Sequence, residues 1–463
     1  MFARRARQAR LVTVAIAFML VTVACDSGTS DGGASANPDS TQPSSSTATS
    51  TTSSTTTTTS TTTTTTMAPI FALEGRIFGA NGAPLHDATI RVGDEEQITT
   101  TRGVFVFEAI AAGTIEITRP AYKPIEVEWD GSDPIVAVTM EPVVAKALRA
   151  ATAVVRDDDQ FADLIELAAA TAVDAIVFDT KKEGGGVLYD TRVQEAHDIG
   201  AVTGSPYDPK QRIEETHAAG LYAITRIVSF EDPIRARARP EYKLAGDWIN
   251  PINPETWEYM LDLGVEACEL GFDEVQFDYV RFPTGEASRQ ARKTNPTTQE
   301  DRVGAIKAFL TEARDRLHPM GCAVGAAVFA IVFSSPDDQG IGQRPEDLAG
   351  VVDVLSPMIY PSHYSAGWLG FDDPNDHPGA VTADALDDGM PRVGGGTLVR
   401  PWLQAFYWTN DQILESIRAA ERRGVGWMLW NAVGNYDEAA LPDDSEEEPD
   451  GESGEDDAEG ADG

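Results

Sequence analysis

Across roughly 290 residues beginning at Lys146, short apolar runs recur with helical stretches between them, and this alternation restricts the fold more than any other feature of the chain. The runs are Ala147–Thr152, Ala175–Asp179, Tyr222–Val228, Glu274–Val280, Ala323–Phe329, Val354–Tyr360, Val399–Phe406 and Gly426–Trp430. Helical periodicity occupies Phe161–Ala172, Pro254–Leu270, Gln299–Leu317 and Asp411–Arg423. Strands alternating with helices are the signature of βα units, and eight of them predict an α/β fold closed into a (β/α)8, or TIM, barrel. An open doubly wound sheet is the other arrangement, but it calls for a phosphate loop after its first strand, and none stands there. The glycine runs Gly184–Gly186 and Gly394–Gly396 lack cradle spacing and read as flexible loops.

The flanks are compositionally unlike this middle. Arg4, Arg5, Arg7 and Arg10 precede an apolar stretch from Leu11 to Ala24, too short to span a bilayer comfortably, so residues 1–25 read as an export signal. Ala24 before Cys25 resembles a bacterial lipoprotein cleavage site, although Thr22 stands where that site usually carries leucine. The resemblance implies lipidation at Cys25, a membrane held through that lipid anchor, and an exported protein at the cell membrane or surface. Residues 26–68 are Ser/Thr-rich, with an unbroken Ser/Thr run from Thr49 to Thr66, and such a segment buries too little to order itself. It reads as a disordered linker, and residues 439–463 as a disordered acidic tail.

Residues 69–142 carry short alternating runs punctuated by turns, namely Leu73–Phe78, Thr89–Val92, Val104–Phe107, Thr114–Ile117, Ile125–Trp129 and Ile135–Met140, which predict a small all-β sandwich. The order Gly75-Arg-Ile, Ala83-Pro-Leu, Ala88-Thr-Ile, Thr101-Arg-Gly-Val-Phe and Ala121-Tyr resembles the carboxypeptidase regulatory-like domains. That likeness implies a structural or binding accessory, so the chemistry is expected in the barrel, residues 143–438.

The net charge is −38, and the fourteen acidic residues between Asp437 and Gly463 account for much of it, leaving −24 elsewhere. Even that remainder repels nucleic acid and anionic lipid, which argues against phosphate-backbone binding. Cys268 and Cys322 read as two buried small hydrophobes, because sequence position does not give the separation a disulfide needs. The histidines are scattered without a metal-binding pair, and no metal or cofactor is expected.

In a (β/α)8 barrel the active site lies at the carboxyl ends of the strands. Here the second strand ends in Asp179-Thr-Lys181, the third in Arg226 and then Glu231-Asp232, and the fourth in Asp278-Tyr-Val-Arg281. Alternation places Glu274, Gln276 and Asp278 on one face, with Asp278 nearest the carboxyl end. The sixth strand ends in Tyr360, His363 and Tyr364, the seventh holds Trp402 and Gln404, and the eighth ends in Trp427, Trp430 and Asn431. Aromatic rings stack on sugar faces, while Lys181, His363, Gln404 and Asn431 can exchange hydrogen bonds with hydroxyls. The set predicts a neutral polysaccharide or oligosaccharide as ligand, with Arg226, Asp232 and Arg281 among its contacts.

The runs Phe178-Asp-Thr-Lys, Thr225-Arg-Ile-Val-Ser-Phe-Glu-Asp-Pro, Glu274-Val-Gln-Phe-Asp-Tyr-Val-Arg-Phe-Pro, Ile341-Gly-Gln, Ser356-Pro-Met-Ile-Tyr-Pro-Ser-His-Tyr and Val399-Arg-Pro-Trp-Leu-Gln-Ala-Phe resemble the bacterial "putative glycosyl hydrolase" domain family. The resemblance covers the whole barrel and implies a glycoside hydrolase at the cell surface, acting on an envelope or extracellular polysaccharide. Asp278 is then the nucleophile or stabilising carboxylate, and a second carboxyl must supply a proton. Members of the family tend to carry Asp at the end of the fifth strand, where this chain has Ala327. Asp179, Asp232, Asp337 and Asp338 remain as candidate partners, with Asp179 the foremost and Asp337 or Asp338 carried inward by their loop. The competing reading is a carbohydrate-binding barrel that has lost its acid.

Overall fold

The computed structural model describes residues 69–443 apart from 134 and 395. The export signal, Cys25, the linker and the tail beyond residue 443 therefore lie outside the described residues.

Residues 70–140 fold into two facing sheets. In one, Ile70–Gly79 lies between antiparallel Val104–Ala111 and parallel Ile135–Met140; the other orders Glu95–Ile98, Thr89–Val92, Gly113–Thr118 and Ile125–Trp129. Alternation sends Leu73, Ile77, Ile90, Phe105, Ile115 and Ile117 into the space between the sheets. Glu95–Ile98 was not among the expected strands: all four of its side chains are exposed, so it carries no alternation, and its acidic residues suit a sheet edge.

The eight barrel strands are Lys146–Arg149, Ala175–Lys181, Tyr222–Val228, Glu274–Asp278, Ala323–Phe329, Val354–Ile359, Trp402–Gln404 and Trp427–Trp430, each pairing in parallel with the next. The first pairs with both the second and the eighth, which closes the barrel. The predicted strands stand, with altered ends. The first stops at Arg149, because Thr152–Val155 begins a helical turn, and the seventh is broken between Leu398–Val399 and Trp402–Gln404, where Pro401 has no N–H to donate.

The barrel interior is a packed core, not a pore. Near its amino end Glu274 and Arg400 form a buried ion pair at 2.9 Å. Above them Trp402 Nε1 donates to Gln276 Oε1 (2.7 Å) and Gln276 Nε2 donates to Ser356 Oγ (3.2 Å), with Val177, Ala327 and Met428 packed around. Polar side chains therefore run up one face of the fourth strand as the alternation predicts, and only Asp278 reaches the carboxyl end.

Cys268, late in helix Glu258–Leu270, is bonded to Cys322, just before the fifth strand, with Cα atoms 6.0 Å apart. This corrects the expectation of two separate thiols: Gly271, at φ 108°, ends the helix and turns the chain into the fourth strand, which brings the helix end beside the start of the fifth. Closing a loop of that length removes about 4 kcal/mol of chain freedom from the unfolded state. The acidic tail also begins later than residue 439, because Ala440 and Leu441 are buried and the Pro442 carbonyl accepts from Ala172 N at 2.9 Å.

The sandwich lies against the amino ends of the strands. Ala323 and Val354, which open the fifth and sixth strands, belong to its core. Tyr122 Oη donates to the Gly396 carbonyl (3.0 Å), and Arg119 pairs with buried Asp353 (3.4 Å). The opposite, carboxyl end is left to the loops that follow the strands.

Candidate functional site

Arg226, fully buried on the third strand, organises the carboxyl end of the barrel. Its Nε donates to Asp278 Oδ2 at 2.8 Å, its Nη1 to Asp179 Oδ1 at 3.0 Å, and its Nη2 to Glu183. Arg149, at the end of the first strand, binds the other oxygen of Asp179. Trp430 lies under both guanidinium groups, whose carbons are 4.3 Å (Arg149) and 4.7 Å (Arg226) from its ring centroid. Burial disfavours the Arg226 charge, but Glu183, Asp278 and Asp179 together overcome this and hold it firmly protonated.

Three carboxyl groups thus share one guanidinium through its separate nitrogens. Asp278 accepts from Arg226 on Oδ2 and from the N–H of Tyr279 on Oδ1 (2.6 Å). The second contact is made by a turn at Tyr279, whose φ of 48° is rare for a side chain of this size and is held by Phe230 N donating to its carbonyl. Burial pushes the Glu183 carboxyl upward, yet Arg226, with Arg149 beyond, outweighs it and brings it down to about 2. Glu183 is therefore a carboxylate, although two-fifths of its side chain meets solvent.

Glu183 is presented by a hairpin between the second strand and Val187–Tyr189, closed by Lys182 N to Gly186 O at 3.0 Å. The glycines there are not a loose loop: Gly185 has φ 86°, and a Cβ on it would stand 2.4 Å from Asp232 Oδ1. Gly395, in the middle of the second glycine run, lies outside the described residues.

Several expected contacts are placed elsewhere. The pairing of the second and third strands slips by one residue after Asp179, so Lys181 does not follow Asp179 into the interior. It is instead fully buried against Asp232 (3.0 Å), the Val228 carbonyl (2.6 Å) and the Tyr259 ring, and burial lowers its pKa despite Asp232. Asp232 also caps helix Pro233–Ala238. Neither residue is accessible to a sugar. Arg281 does not pair with Asp278: beyond the Tyr279 turn it is enclosed by the rings of Trp248, Tyr279 and Phe329. Asp337 is tied to Ser335 and Gln339 in its own turn and its pKa is lowered, while Asp338 is buried on Arg302. Both are held in place by these local bonds, so neither is set to swing inward as an acid.

Trp402 is floor rather than platform, being 1% exposed with its N–H on Gln276. Trp427 faces the helices, where its N–H donates to Glu421. Gln404 is spent on Ser362, Asn375 and the Phe406 carbonyl. Tyr364 packs on Trp368, with burial raising its pKa and Asp384 adding to the effect. Tyr360 stays near Asp278, whose charge adds to a pKa rise caused first by burial, and its ring meets those of His363 and Phe406. Asn431 borders both the cluster, through its carbonyl on Arg149 (3.2 Å), and a neighbouring cavity of about 530 Å3 lined by Phe406, Tyr407, Trp408 and Tyr436. No carboxylate of the Arg226 cluster lines that cavity.

The sequence reading did not single out Arg149, Glu183 or the Phe406–Trp408 rim. Alternation from Ala147 pointed to Arg149; Glu183, two residues past its strand, gave no periodic signal. No group of metal-ligating side chains occurs among the described residues.

A closed (β/α)8 barrel with charged side chains gathered at the carboxyl ends of its strands places them where such barrels carry their active sites. The chain belongs to the family described as "Putative glycosyl hydrolase domain", whose model matches residues 147–436. Among solved structures it is similar to a hypothetical protein from Ruminiclostridium thermocellum, at 29% identity over 39% of this chain and 96% of that one, with a TM-score of 0.34. It is similar also to the glycoside hydrolase domain of PgaB (BpsB) from Bordetella bronchiseptica (11% identity, 63% and 95% covered, TM-score 0.47). A third is the glycoside hydrolase domain of PelA from Pseudomonas aeruginosa (10% identity, 63% and 96% covered, TM-score 0.36). No curated protein matches the chain.

Proposed function

We propose that the protein is a cell-surface glycoside hydrolase acting on an envelope or extracellular polysaccharide, with Asp278 as the carboxylate that meets the anomeric carbon. The observation that carries this reading is the cluster at the strand ends, in which Asp278, Asp179 and Glu183 share Arg226 above Trp430. Carboxylates placed beside a sugar ring favour the positive charge that develops on it as its glycosidic bond breaks. The net negative charge outside the tail argues for a neutral or amino-bearing polymer over an anionic one. Export and a lipid tether at Cys25 are supported by the basic and apolar leader, and the Cys268–Cys322 bond suits an oxidising compartment.

The second reading is a non-catalytic carbohydrate-binding barrel. Ala327 favours it, as does the 3% exposure of Asp278, which leaves a substrate little room to approach in this conformation. The two separate when the protein is incubated with neutral and amino-bearing bacterial polysaccharides and both bound polymer and new reducing ends are measured. The enzyme reading expects reducing ends to accumulate on at least one polymer; binding without release would establish the binding module instead.

A further inference from the structure

We propose that Glu231, the residue that follows the third strand, is the proton donor to the departing sugar oxygen, a role that rests on the glycoside hydrolase reading. The third strand does not part from the fourth where its ladder ends. Ser229 N donates to the Asp278 carbonyl at 2.8 Å and Phe230 N to the Tyr279 carbonyl at 3.3 Å, so the next residue, Glu231, runs beside the Asp278 turn. On its other side Glu231 forms an antiparallel bridge with Trp248, and Asp232 N donates to the Asp247 carbonyl at 2.8 Å. Adjacent paired chains are only about 5 Å apart, so the Glu231 backbone is pinned on both sides within side-chain reach of Asp278.

Its carboxyl is unlike the others nearby. Asp179, Glu183 and Asp278 are engaged by arginine, whereas the Glu231 carboxyl makes no hydrogen bond or ion pair among the described residues, and Glu231 is half-buried. The charged groups facing it are Arg281 and Asp278 from the fourth strand and its loop, Asp247 from the hairpin that carries Trp248, and Glu183 from the second-strand loop. Burial raises its pKa most; Arg281 opposes this, and the three carboxylates add to the rise. Glu183 is thus taken down to about 2 while the neighbouring Glu231 carboxyl is shifted upward. Such divergence between neighbouring acids is how a site divides acid from base.

In the reaction the pair of electrons in the bond from C1 to oxygen leaves with the oxygen, which takes the Glu231 proton, while Asp278 meets the deficiency at C1. A water oxygen then bonds C1. If Asp278 has bonded C1, that bond breaks with its electron pair returning to the Asp278 carboxylate, and the water proton passes to Glu231. If it has not, Asp278 takes the water proton, and Glu231 regains one from solvent as Asp278 releases its own. In either case one water is consumed and both carboxyls are restored. Ala327 then matters less, because the missing acid is supplied from the third strand.

The test uses the full chain, Glu231→Gln and Glu231→Asp, on the polysaccharide the wild type cleaves and on a panel of 2,4-dinitrophenyl glycosides, whose leaving group needs no proton. Glu231→Gln is expected to lose about 10²–10⁴-fold on the polysaccharide and much less on the dinitrophenyl glycoside. The high-pH limb of the wild-type profile should vanish with it, and Glu231→Asp should restore part of the loss. Equal losses on both substrates, or an unchanged high-pH limb, would overturn the assignment of Glu231 while leaving hydrolysis established. A wild type that cleaves neither substrate at any pH overturns the hydrolase reading, and this role with it.

Discussion

Arg226 is the residue on which the site depends, since one guanidinium separates three carboxylates that would otherwise repel one another in a buried setting. Arg226→Met should therefore cost about 3–5 kcal/mol, the usual penalty for leaving buried charge uncompensated. The pH dependence gives this a sign. Glu183 falls from an ordinary 4.5 to about 2 in the folded protein, so its contribution is present above pH 4.5 and is lost as the pH falls toward 2. The stability gap between wild type and Arg226→Met, read from urea midpoints, should be wide at pH 7 and narrow at pH 3; a gap independent of pH would mean that Arg226 acts by packing alone. Asp278 and Asp179 were legible as site residues because strand periodicity carries them inward. Lys181 shares that periodicity on paper, but a one-residue slip in the ladder reverses its side, and nothing in the amino-acid order announces the slip.

Among the elements, the hairpin carrying Glu183 shows how much a short loop decides. Gly185 adopts φ 86° because the loop is pressed on Asp232, itself locked to Lys181, so the fully buried Lys181–Asp232 pair shapes the site without touching a sugar. Gly185→Ala should lower stability by more than about 1 kcal/mol and reduce turnover by displacing Glu183. Unchanged urea midpoints and turnover would show that the hairpin can shift freely. The eight barrel strands were readable because each is a buried apolar run between helical stretches. The Glu95–Ile98 strand was not, since an exposed edge carries no alternation, and neither was the Cys268–Cys322 bond, because the two cysteines meet only after the helix has packed on the barrel.

At the scale of the molecule, the two ends of the barrel are given different tasks. The sandwich covers the amino ends, where Ala323 and Val354 join its core and Arg119 reaches Asp353, while the carboxyl ends hold the carboxylates, arginines and aromatic rim. This division keeps the sandwich away from the carboxyl-end cluster, and on the proposed reading Asp278 is the group on which hydrolysis turns. The most direct test is the initial rate of reducing-end release by Asp278→Asn against wild type on the polymer that wild type degrades, with matched urea midpoints to show that both are folded. The account predicts a fall of at least about a thousandfold, since the substituted amide cannot replace the carboxylate at C1. A variant that releases reducing ends as fast as wild type would contradict it.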